Sequence, residues 1–213
     1  MSTDNWQRTI LDAKLKLKQK DFDAAEALLL PATKSNNVSL QASAKRVLAE
    51  LKGFQDDMRS ALEILMSLPS EELEVSDFVK QLELCRKLND DKVLNEVLAE
   101  FEQYTKTTLK DDHQKISTAF AILEEHIRLG NVEKSKDYFE SLTEKYRDLG
   151  VYDNHFVSTR GYPFLYSFLL LAKSYFDAFS LQDFKPWLDQ FSSSLDDFGK
   201  TELASFVKNE LKD

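Results

Sequence analysis

A spacing of 36 residues constrains this chain more than any other feature, because it fixes which side chains must share a core. Ala13, Phe22, Ala25 and Leu29 read small, large apolar, small, large apolar. One step along stand Ala49, Met58, Ala61 and Leu65, and another step brings Cys85, Leu94, Val97 and Phe101. In each set the first residue ends one helix-periodic segment and the other three lie on the next. The pattern describes a helix hairpin. The small residue lets the second helix approach closely, and the large ones fill the space between hairpins. One hairpin cannot bury its apolar face alone, so copies must stack.

Local signals place the boundaries. Residues 13–32 form the clearest hairpin, turning at Lys20-Asp21 and reopening at Phe22. Asp21, Asp57, Asp90 or Asp91, and Asn131 precede second helices, where a short oxygen-bearing side chain caps free N–H groups. Gly53 and Gly130 fall where first helices stop, and Pro31 and Pro69 close the second helices of the first two hairpins. A fourth hairpin covers residues 113–147, turning at 129–132. Its step from Val97 to Ser135 is 38 residues, so register is kept approximately. Ala119, Ile122 and Leu123 serve its first helix; Ser135, Phe139 and Leu142 serve its second. With only 5 Gly and 4 Pro in 213 residues, helices are expected to dominate.

The repeat breaks after Leu149. Residues 150–163, GVYDNHFVSTRGYP, lack helical periodicity and are expected to form an irregular loop, the kind of segment that carries binding residues. Tyr152, Phe156 and Tyr162 lie in it, with His155 and Arg160 between them. A fifth hairpin is predicted over 164–179 and 184–195. Its first helix is apolar on nearly every side, which marks a central helix or one covered by a partner. A last helix near 200–211 places Leu203, Phe206, Val207 and Leu211 on one face, as a capping helix would.

On these residues the chain resembles the tetratricopeptide repeat family. The likeness lies in a paired-helix unit, a small residue late in the first helix, and an aromatic-x-x-Ala opening the second. Phe22-Asp-Ala-Ala25 and the run from Gly130 to Ser135 match best. The family's Leu-Gly pair is replaced by Asp12-Ala13, Leu48-Ala49 and Leu84-Cys85. The likeness covers about residues 6–149 and, more weakly, 164–195, and a related helical-hairpin solenoid fits the same residues. It implies a right-handed stack and a binding scaffold that grips a peptide or helix in the groove lined by the first helices. One variant of the family clamps a C-terminal carboxylate. The matching positions here are Ile10, Lys14, Val47, Val79 and Glu83, of which only Lys14 keeps a donor, so peptides of that chaperone-tail type are not expected to bind.

Charge and chemistry narrow the function. A net charge of −9 lacks the basic footprint of a phosphate-reading surface, so no nucleic-acid partner is expected. Cys85 stands alone, which excludes an internal disulfide and a cysteine zinc knuckle. The N-terminus is polar, and the most apolar run, 164–172, is half a membrane span. A cytoplasmic location without membrane insertion is therefore expected. His113 and His126 follow carboxylates without a second histidine at i+4, and read as surface helix charges rather than metal ligands. No phosphate loop or nucleophile–base set is present. Neither catalytic residues nor cofactors are expected, and the chain does not read as an enzyme.

What remains is recognition. The repeat register puts Gln7, Lys14, Arg46, Glu50 and Arg86 on the inner face, either as solvated helix surface or as a groove for an acidic or amphipathic helix. Lys14, Arg46, Glu50, Arg86, Arg160, Tyr162 and Tyr166 are the candidate partner-binding residues. The C-terminal aromatics are either core or a partner-facing patch. The expected fold is all-α: about five antiparallel hairpins in a tetratricopeptide-like solenoid with a C-terminal capping helix. Four hairpins over 1–149, the loop 150–163, and the fifth hairpin with its cap over 164–213 are expected in one domain. The leading function is an adaptor that binds a partner protein. The alternatives are a structural subunit or homo-oligomer joined through the aromatic region and, further off, a small-molecule sensor or enzyme using the 150–163 loop and His155.

Overall fold

The computed structural model describes residues 3–211, with side chains from Trp6 onward. Among the described residues there are twelve α-helices. They are α1 (Thr3–Lys18), α2 (Phe22–Ala32), α3 (Val38–Phe54), α4 (Met58–Met66), α5 (Val75–Leu88) and α6 (Asp91–Thr107), followed by α7 (Asp112–Arg128), α8 (Val132–Leu149), α9 (Asn154–Thr159), α10 (Leu165–Ala178), α11 (Phe184–Ser192) and α12 (Asp197–Glu210). The described residues form no strand, and none of these helices is long and apolar enough to cross a membrane. Contacts group the chain into two compact units, residues 1–99 and 100–213, with the division inside α6.

Five hairpin turns are built the same way. Lys20, Asp56, Asn89, Gly130 and Ser180 each adopt positive φ, between 52° and 71°. After each, a backbone N–H reaches back five residues to a carbonyl: Asp21 to Lys16, Asp57 to Lys52, Asp90 to Cys85, Asn131 to His126 and Leu181 to Phe176. This is the six-to-one bond of a Schellman ending, which satisfies carbonyls that a terminating helix leaves bare. Four of these left-handed residues are not glycine, so composition hides the recurrence. Gly53 does not serve this role: α3 runs through it, and Asp56 makes the reversal.

The expected caps divide. Asp57 and Asp90 accept from the N–H groups of Ser60 and Val93, whereas Asp21 makes no side-chain cap bond. Asn131 makes none either, because its amide turns to the His126 ring. Pro31 lies in the last turn of α2, and Pro69 follows α4 and opens a single 3-10 turn at Ser70–Glu72.

In the first unit, successive helices α1 to α5 each pack on the next. The repeat positions are the reason: Ala13, Ala25, Leu29, Ala49, Ala61, Leu65, Cys85, Leu94 and Val97 are all buried. Alanine at these crossings permits close helix approach, and leucines fill the gaps between hairpins. Lys45 and Gln81 tie the layers together by donating to the carbonyls of Ser67 and Leu65.

The second unit is organised around α10, which packs on α7, α8, α11 and α12. That explains why this helix is apolar on several sides. Residues 150–163 are not an open loop. Asp153 caps α9 through the N–H groups of His155 and Phe156, and Tyr152 and Val157 are buried. The Tyr152 hydroxyl donates to the Tyr146 carbonyl at 2.5 Å. Six helical residues are too few to show a period in the sequence. In the last helix, Phe206 is buried while Val207 stays 41% exposed, so the apolar face of α12 is only partly covered.

Candidate functional site

The first unit holds a groove of about 520 Å³ between α3 and α5, above α4. Its floor is apolar: Ala49 from α3, Ala61 and Leu65 from α4, and Leu84 from α5, all buried. The small residues that draw the hairpins together leave a channel where no larger side chain fills it. Its α3 wall runs from Arg46 to Phe54, so it is about 12 Å long, or two helical turns.

One end is closed by an ion pair. Arg46 on α3 grips Asp77 on α5 with two parallel bonds, Nε to Oδ1 at 2.9 Å and Nη2 to Oδ2 at 2.8 Å. The same guanidinium reaches the Glu72 carbonyl and lies 3.3 Å from Glu74. Its hydrogen bond to Asp77 raises its pKa, against the opposing effect of burial. Asp77 also accepts the Glu74 N–H and is only 3% exposed. Planar two-point pairing of this kind fixes geometry as well as charge. Arg46, read as a free groove cation, is thus the clasp that joins the two walls.

The open part has charged rims of opposite kind. On α5, Lys80 and Lys87 both bond Glu83, at 2.8 and 2.7 Å, and together hold its carboxyl at about 2. Lys80 and Lys87 line the groove, and the trio leaves one net positive charge on that side. On α3 the exposed Glu50 faces the groove with no ion pair to any described residue. Phe54 stands at the open end, 62% exposed.

Of the residues expected on a partner-binding face, the structure brings only Arg46 and Glu50 together here. Lys14 is exposed on α1 and Arg86 on α5, and neither lines the groove. Ile10 and Val47, two of the carboxylate-clamp positions, are buried in the core of the first unit. Asp77, Lys80 and Lys87 were missed. The Lys80–Glu83–Lys87 spacing of three and four residues was the signal that could have found the last two.

Arg160 and Tyr162 lie in the second unit beside a shallower depression of about 370 Å³, with His113, Lys145 and Asp148. The Arg160 guanidinium stacks 4.9 Å from the Phe156 ring centre, and its carbonyl pairs with His113 Nδ1. Gly161 sits at φ +71°, where a β-carbon would come within 2.7 Å of His113, so glycine is required there. Tyr166 donates to Glu210 at 2.8 Å and joins α10 to α12.

His126 is not a surface charge. It is 5% exposed, and its Nε2 lies 2.7 Å from Glu102 Oε1. Lys134 donates to the other Glu102 oxygen at 2.8 Å, and the Asn131 amide faces His126 Nδ1 at 3.1 Å. Burial pushes the Glu102 carboxyl up, but the bonds from Lys134 and His126 outweigh it and the net shift is downward. The chain order gave no hint, because Glu102 and His126 are brought together only by helix packing. Among the described residues no three His, Cys, Asp or Glu side chains converge to hold a metal. No protein-family model matches the chain, and no curated protein or solved structure shows significant similarity to it.

Proposed function

We propose that this chain is a protein-interaction scaffold of tetratricopeptide-like helical hairpins. In this reading the α3–α4–α5 groove receives a short amphipathic helix, with apolar side chains on the Ala49–Ala61–Leu65–Leu84 floor. The observation that carries it is an unfilled apolar floor between oppositely charged rims, closed at one end by the Arg46–Asp77 clasp. That is the helix-in-groove mode of recognition, in which apolar anchors supply affinity and flanking charges supply orientation. The C-terminal aromatics support the homo-oligomer alternative less well: Phe168, Tyr175, Phe176 and Phe191 are buried in the second unit's core.

Gly53 offers a clean test. It lines the groove, it is helical, and a β-carbon there meets nothing within 4 Å. Gly53→Trp should obstruct the channel while leaving thermal stability unchanged or slightly higher. Proteins cross-linked to the wild type in its native cell should be lost from the variant. An unchanged set of cross-linked proteins rejects the groove as the binding site.

A further inference from the structure

The first unit carries a second unpartnered feature, on α1. Its inner face, with Ile10, Ala13 and Leu17, is buried. Its outer face exposes Leu11 and Leu15, at 67% and 54%, one turn apart. At 100° per residue, Lys14 and Lys18 flank the two leucines on one side, and Arg8 and Asp12, of opposite charge, flank them on the other. Lys14 and Lys18 are exposed and form no ion pair with a described residue. Side by side, the two leucines form one small contiguous apolar patch.

Taking the groove reading as its basis, we infer that the occupant of the groove is the outer face of α1 from a second copy of this chain. The length agrees: a leucine pair one turn apart fits within a channel of about two turns. The charges agree as well. With Leu11 and Leu15 on the apolar floor, Lys14 and Lys18 meet the unpaired Glu50, while Arg8 and Asp12 on the other flank cancel each other beside the rim of Lys80 and Lys87. Helix α1 is also the basic element of an acidic molecule: it has four basic and two acidic residues in a chain of net charge −9. It is therefore drawn to another copy's body.

A symmetric antiparallel pairing of α1 with α1 is disfavoured. Antiparallel helices would set the Lys14–Lys18 flanks against each other, with like charges at close range. A leucine face seated in a groove joins two different surfaces, so the contact is head to tail. Each copy offers one leucine face and one groove, so assembly gives open chains or closed rings. Two leucines and a few ion pairs bury less than the roughly 1,200 Å² of a stable interface, so the association is weak and reversible.

Sedimentation of the full chain from about 10 to 500 μM tests this, a range chosen for transient contacts. The wild type should gain mass steadily with concentration. Leu11→Gln/Leu15→Gln removes the face and Glu50→Lys removes the groove's charge. Each should lower the association constant by about tenfold or more, and Lys14→Glu should restore association to Glu50→Lys. All these sites are exposed, so melting temperatures should hold. The deciding experiment mixes the face-defective and groove-defective variants. Each alone stays monomeric, while the mixture forms dimers and stops there. A wild type that is monomeric throughout, or association indifferent to Leu11 and Leu15, overturns the inference. So does sedimentation with phosphatidylserine vesicles that depends on Leu11 and Leu15 while the protein does not self-associate, since that assigns the face to an acidic membrane. A monomeric wild type whose cross-linked partner is still lost in Gly53→Trp sinks the second copy alone and leaves the groove reading standing.

Discussion

The two compact units are both made of helix pairs, yet they solve packing in opposite ways. The first places alanine at its crossings, with Ala13, Ala25, Ala32, Ala44, Ala49 and Ala61 buried. The second places rings there. Tyr146 stacks on Phe168 at 4.0 Å between centroids, Phe139 on Tyr175 at 4.3 Å, and Trp187 on Phe191 at 5.1 Å. Small residues bring helices close but leave unfilled space where three of them meet, which is how a groove arises between α3 and α5. Large aromatics fill the interior of the second unit, and its depressions, of about 370 and 550 Å³, lie at the surface instead. The difference teaches that where a groove opens between helices here follows from residue volume.

The contrast can be broken from either side. The largest effect is expected from truncating the ring-filled unit. Phe168→Ala removes a fully buried side chain in contact with several aromatics, and should cost about 3–5 kcal/mol in denaturant unfolding. A loss below 1 kcal/mol would mean that the site collapses freely and that ring packing is not what holds the unit together. The alanine-built unit should instead be vulnerable to enlargement. Ala25→Trp has no space, since Ala25 is 0% exposed at the α2 crossing, and overpacking should cost about 1–3 kcal/mol. Unchanged stability would mean that α2 can shift away, and that close approach is not essential.

A smaller effect separates packing from polar order inside the second unit. The Glu102 carboxyl is shifted below its ordinary value of 4.5, so its contribution to stability is present above that value and is lost as pH falls through the folded one. Lys134→Met removes one of the two donors responsible. Because Lys134 is half exposed, the cost at neutral pH should be about 1 kcal/mol or less, shrinking toward zero in acid. Thermal melts at several pH values check this. A deficit that grows in acid would reverse the sign and reject the pair as a source of stability.

Much of the fold was legible in the residues, and the reasons are local. Ten of the twelve positions located by the 36-residue spacing are buried, from Ala13 to Phe101, while Phe22 and Met58 are half-buried. Asp57 and Asp90 cap as their positions suggest, and α10 is central as its apolar surface requires. The misses have physical reasons of their own. Asp56 makes a reversal that composition assigns to glycine, α9 is too short for its period to show, and Asn131 prefers a histidine ring to its own helix end.

The candidate site was far less legible. Sequence register named Arg46 and Glu50 as neighbours on one face, because residues four apart on a helix always are. It could not show that Arg46 would be taken up by Asp77 and leave Glu50 as the unpaired charge, since residues 46 and 77 meet only when α3 and α5 both pack on α4. In the same way, His126 looked like surface until packing buried it beside Glu102.

The sequence by itself therefore determined the helices, their pairing and the small residues at their crossings, all of which depend on spacing along one chain. Only the tertiary structure decided which charges cancel, which stay unpaired, and where small side chains leave a groove. Those outcomes depend on distances between side chains far apart in the chain, and both packing and electrostatic energies are set by those distances.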